Sequence, residues 1–176
     1  MFAVSTLPPV DDEGARRLWL LPPVAGVFDG MDLSLLDPSD EHDRHVLIVS
    51  EHPELAQALD SDREDVTLVG EVNPRVHVAV HAIVANRLWA DTPPEMWQTA
   101  QRLTRAGYER HEVLHMLVNV VSAEMYDALH GNGTYVINDT RQALAALPES
   151  WEAQRTALPS RAARRALARA QRRESS

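Results

Sequence analysis

The chain has 176 residues, 44% of them hydrophobic, and a formal net charge of −9, which is enough for one domain with its own core. It contains no cysteine, and its 17 basic residues are all arginine. Disulfides, thiolate zinc sites, cysteine nucleophiles, Schiff-base lysines and P-loop lysines are thereby excluded.

The charge is divided unevenly. Residues 1–150 carry 24 acidic groups and 10 arginines, whereas residues 151–176 carry seven arginines and two glutamates. The N-terminus lacks the basic, then apolar, pattern of a signal peptide, and "LWLLPPVAGVF" is too short and too proline-broken to span a membrane. A soluble cytoplasmic protein is expected.

Three regions are expected: an N-terminal arm over 1–37, a helical bundle over 38–150 and a basic helical tail over 151–176. The arm is rich in proline and aspartate turns and weak in periodicity, so it reads as extended or loosely helical. Asp37-Pro38 with a Ser39 cap opens a helix to about Ile48, and a short helix follows from Pro53 to about Leu59. "EDVTLVGEV" at 64–72 reads as loop, since a lone strand has no evident partner. Asn73 as cap and Pro74 at the first helical position start a helix to about Ala90. "TPPE" at 92–95 reads as a capping box, Thr92 with Glu95, opening a helix that stops at Gly107. A long helix runs from about Glu109 to His130 and stops at "GNG". Another begins at Asn138 or Asp139 and ends before Pro148, and residues 160–173 are strongly helix-prone. The fold class is all-α, a small antiparallel bundle.

On the 74–90 helix only a narrow stripe at Arg75 and Asn86 suits water, and His77 and His81, one turn apart, lie opposite it. The 109–130 helix is apolar around most of its surface, with a polar stripe holding His111, Glu112, His115, Asn119, Ser122 and Tyr126. Polar groups on so apolar a helix must face partners, water or an ion. The four histidines are therefore expected to meet between the two helices.

Two histidines four apart on one helical face can share an ion at roughly 2.0–2.1 Å each, and two such pairs supply four nitrogens. His111-Glu112-Val113-Leu114-His115 also fits the His-Glu-x-x-His pattern of zinc peptidases, in which the glutamate takes a proton from metal-bound water. The peptidases' third ligand is missing: Glu124 falls on the far side of the helix. The leading expectation is a zinc or other divalent transition-metal site of His77, His81, His111 and His115 in a structural or regulatory role, with Glu112 tuning or joining it. The alternatives are a metallohydrolase using Glu112 as general base, a metal-free hydrogen-bonded histidine cluster, and an interaction module.

The run at 73–129 resembles a bacterial family described only as domain of unknown function 1841. The match lies in Asn73, Pro74, Arg75, His77 and His81, then Gly107, Arg110, His111, Glu112 and His115, and "EHPEL" at 51–55 is similar to an actinobacterial branch. The resemblance implies a helical domain whose histidines belong together and supplies no activity.

His42, His45 and His52, at the ends of short helices, are expected to be surface or capping residues, and His130 to partner the dipole of its helix end. Trp89 and Trp97 are expected to pack the bundle. Arg161, Arg164, Arg165, Arg169, Arg172 and Arg173 offer a nucleic-acid or ribosome contact, or fold back on the acidic body.

Overall fold

The computed structural model describes residues 13–21, 26–55, 59, 73–130 and 137–157. The chain divides into two compact units, residues 1–145 and 146–176. In the first unit the elements are α1 (Glu13–Leu20), a two-residue-per-strand hairpin of β1 (Val27–Phe28) and β2 (Met31–Asp32), α2 (Glu41–Ser50), α3 (Pro74–Ala90), α4 (Pro94–Arg105), α5 (Arg110–His130) and α6 (Ile137–Ala145). Short 3-10 turns occupy Leu33–Leu35 and Pro53–Leu55. The second unit contributes α7 (Glu149–Ala157). The described structure is predominantly α-helical, and none of its helices is long and apolar enough to cross a membrane.

Helix α3 is the hub, packing against α1, α2, α4 and α5. Its start follows from sequence: the Asn73 side chain accepts from the amides of Arg75 and Val76, with Pro74 at the first helical position where no amide is needed. Its end is a left-handed Asp91, φ 54°. Val84 and Leu88 of α3, and Val113, Leu117 and Val121 of α5, are fully buried. Such burial contributes about 1.5–3 kcal/mol per large aliphatic side chain.

Asn86 is half-buried and takes protein partners. Its amide donates to Glu41 at 2.6 Å and its oxygen accepts from Arg44 at 3.2 Å, so it joins α3 to α2. Arg75 is exposed as expected, with Val76 and Ala79 exposed beside it. An apolar wheel does not reveal which polar residue finds a protein partner, and here α2 meets the Asn86 end of the expected wet stripe.

The caps also differ in detail. Asp40, not Ser39, caps α2 by accepting from the amides of His42 and Asp43, while Ser39 is held by Asp37 at 2.9 Å. The Thr92–Glu95 capping box does not form. The Thr92 amide is already used to close α3, bonding the Arg87 carbonyl at 2.9 Å, and its hydroxyl donates to the Ala90 carbonyl at 3.2 Å. Helix α4 then starts behind Pro93, and Glu95 pairs with Arg141 at 2.7 Å. Helix α6 begins at Ile137, so Asn138 and Asp139 lie within its first turn. The helix that begins at Pro53 is only a single 3-10 turn, and the expected loop at 64–72 and helical tail at 160–173 lie outside the described residues.

Within the expected arm, α1 is a defined helix held by polar contacts. Arg16, 7% exposed, pairs with Asp91 at 3.1 Å and donates to the Trp89 carbonyl at 3.3 Å. Trp19 meets the buried Trp97 edge-on, centroids 5.4 Å apart, so Trp97 packs the bundle as expected. The guanidinium groups of Arg17 and Arg44 lie 4.3 and 4.8 Å from the Trp89 ring centre. With only eight residues, α1 is too short for its buried Arg16 and Leu20 to stand out as a repeat.

Glu124, on the side of α5 away from His111 and His115, receives two hydrogen bonds from Arg87, 2.6 and 2.7 Å, and one at 3.4 Å from Thr140. Truncating a bidentate, largely buried acid strands its arginine. Glu124→Ala is expected to lower unfolding free energy by about 2–3 kcal/mol, read by urea denaturation, with Arg87→Met/Glu124→Leu recovering most of the loss.

Candidate metal centre

Three elements carry the site. Helix α3 presents His77 and His81 one turn apart, helix α5 presents His111 and His115 one turn apart, and α3 packs directly on α5. The four rings do converge: centroids are 4.6 Å apart within each pair, and across the helices 5.2 Å for His77–His115 and 4.7 Å for His81–His115. The fifth ring is His52, which follows α2 and precedes the 3-10 turn at Pro53. It lies 4.5 Å from His81, 5.0 Å from His77 and 5.1 Å from His111.

His52 was expected at the surface and is instead 1% exposed, in the middle of the cluster. Its amide bonds the Val49 carbonyl at 2.9 Å, turning the chain inward at the end of α2. No helical repeat marks it; the only trace in sequence is its place in "EHPEL". His42 and His45 are exposed, as expected. So is His130, whose Nδ1 donates to the Tyr126 carbonyl at 3.0 Å near the end of α5.

The tautomer of His52 can be assigned. Its Nδ1 lies 2.9 Å from the Ile48 carbonyl, an acceptor only, so Nδ1 carries the proton and Nε2 presents a lone pair. That Nε2 is buried without a hydrogen-bond partner, and so is Nε2 of His81, whose residue is 4% exposed. Each buried unmatched polar atom costs about 1–3 kcal/mol. His111 and His115 share a contact, Nε2 to Nε2, of 3.0 Å. One nitrogen must donate there and the other accept.

The electrostatics keep His81 and His115 neutral. Burial first, then the neighbouring imidazoles, His52 foremost, lower the His81 pKa to about 2. Burial first, then His111, His77 and His52, lower that of His115 to about 4. Neutral imidazole is the form that binds a metal.

Beyond the rings sits an ion pair. Glu51, the C-cap of α2 and only 12% exposed at its side chain, pairs with Arg110 and lies 4.0 Å from Nδ1 of His111. Arg110 also donates to the Leu20 carbonyl at 3.0 Å, and burial lowers its pKa to about 10, so it stays charged at neutral pH. A carboxylate facing Nδ1 favours the proton there and turns the Nε2 lone pair inward. Glu112 is half-buried in the first turn of α5.

His52, His77, His81 and His115 each offer a nitrogen, all within 4.8 Å of one another, so these four can hold a metal ion. The arginines 161, 164, 165, 169, 172 and 173 lie outside the described residues. Comparison with curated proteins returns no match, and neither does comparison with solved structures. The model of one family, described as domain of unknown function, matches residues 36–149, nearly two thirds of the chain and all five clustered histidines. The chain therefore belongs to the domain of unknown function 1841 (DUF1841) family.

Proposed function

We propose that this protein binds a divalent transition-metal ion, zinc or a neighbour, in the histidine cluster, in a structural or regulatory role. The observation that carries the reading is the pair of buried Nε2 atoms, His52 and His81, that have no hydrogen-bond partner beside three further imidazoles. Evolving a core normally removes such atoms or pairs them; an ion satisfies both at once. The chemistry of the donor set agrees. Imidazole suits zinc, copper, nickel and iron, whereas magnesium and calcium want carboxylate and carbonyl oxygens. An ion joining α3, α5 and the end of α2 would tie three separate parts of the chain, so its binding energy would add to folding energy.

Elemental analysis of the full chain, purified without a polyhistidine tag, tests this. About one equivalent of a transition metal is expected after loading and desalting, with His81→Ala retaining less than a tenth of it. Glu112→Gln is expected to keep the ion, since the imidazoles suffice to hold it. A loaded wild-type chain that emerges without metal overturns the reading.

A further inference from the structure

The five imidazoles are not equivalent. His52 and His81 are 1% and 4% exposed, and the Nε2 atom of each is buried and without a partner. The His111 side chain is 43% exposed, and its two nitrogens face Glu51 at 4.0 Å and His115 at 3.0 Å. Its ring lies 4.6 Å from His115 and 5.1 Å from His52 but 6.1 Å from His81, and it falls outside the group of four whose nitrogens lie within 4.8 Å of one another.

Around an ion bound at roughly 2.0–2.1 Å, tetrahedral nitrogens are about 3.3 Å apart and opposed nitrogens about 4.1 Å apart. The nitrogens of His52, His77, His81 and His115, within 4.8 Å of one another, reach that range with small ring rotations, without His111. Detaching each donor has a different consequence. If His52 or His81 lets go, a buried nitrogen is again left unmatched, at a cost of the order already given. If His111 lets go, its ring returns to water and to the Glu51 carboxylate.

We infer that His52, His77, His81 and His115 form the permanent nitrogen set, and that His111 holds a fifth, exchangeable position where a small external lone-pair donor reaches the ion from the solvent side. This rests on the metal-binding reading above. The ligand class is a compact monodentate donor, because the approach is flanked by the Glu51–Arg110 pair and leaves no room on the His52 and His81 side.

Cobalt(II) tests it, because its visible absorption reports coordination number. The full chain is loaded with cobalt in wild type, His111→Ala, His52→Ala and His52→Phe, the last keeping a ring in the packed position. Far-ultraviolet circular dichroism of the ion-free forms checks the fold, and at least one His52 variant is read at wild-type helicity. His111→Ala is expected to keep one equivalent of cobalt with affinity within tenfold of wild type. Its spectrum should shift, and azide should saturate it at a concentration at least tenfold lower than wild type requires. The His52 variants are expected to lose at least a hundredfold in cobalt affinity. The inference is overturned if His111→Ala loses cobalt as severely as the His52 variants, if a folded His52 variant binds like wild type, or if azide leaves the His111→Ala spectrum unchanged. A wild-type chain that takes up no cobalt or zinc removes the metal-binding reading itself, which distinguishes the two failures.

Discussion

Adding zinc to the ion-free protein at about a thousand times its dissociation constant is expected to raise the stability of the folded state by about 4 kcal/mol. For a chain of this length, each kcal/mol moves the melting midpoint by about 2–4 °C, so the shift should be about 8–16 °C in differential scanning fluorimetry. A chelator should return the midpoint to its starting value. The physical source is the set of lone pairs that folding gathers and leaves without protons: Nε2 of His52 and Nε2 of His81 are buried with no partner until something binds them. His81→Ala should abolish the zinc-dependent shift, whatever it does to the ion-free midpoint. Calcium and magnesium should leave the midpoint unmoved, since the donors are nitrogens. A chain whose melting is the same with zinc, with chelator and with neither would contradict the proposal.

Mild acid is expected to destabilise the ion-free protein. The folded-state pKa of His81 is lowered to about 2 and that of His115 to about 4, against 6.5 for an unperturbed histidine. Because both are depressed, the unfolded chain binds protons first as pH falls. Stability is therefore complete above about pH 6.5 and declines below it, through the His115 value near 4 and on toward that of His81. At pH 5 the cost is about 2 kcal/mol for buried His81, and less for half-buried His115, whose charge water partly screens. Urea denaturation at pH 7.5 and pH 5 should show this loss. Replacing His81 by Asn should flatten the profile, and a profile unchanged by that substitution would show that the cluster is not the acid-sensitive element.

The helices that build the site were legible because their signals are local. Asn73-Pro74 sets the start of α3, and His77/His81 and His111/His115 fall on one face by spacing alone. Their convergence needed only that α3 and α5 be neighbours, which short connections make natural. His52 was not legible, because its burial depends on the chain turning inward after α2 and not on any repeat within it. The Glu51–Arg110 pair is hidden for the same reason: its members are 59 positions apart and meet only once α2 and α5 are placed. The capping box at Thr92 failed for a different cause. Two helix ends compete for one residue, and closing α3 took the Thr92 amide first.

The family pattern starts at residue 36, yet α1, at 13–20, supplies partners that this pattern's own residues require. It places Trp19 against Trp97, Arg16 on Asp91, and the Leu20 carbonyl on Arg110. A fragment trimmed to the recurring segment would bare an indole and take an acceptor from the cation that steadies Glu51. The natural cutting point for any excised version lies upstream of Glu13, because in this chain the matched segment borrows one of its walls from α1.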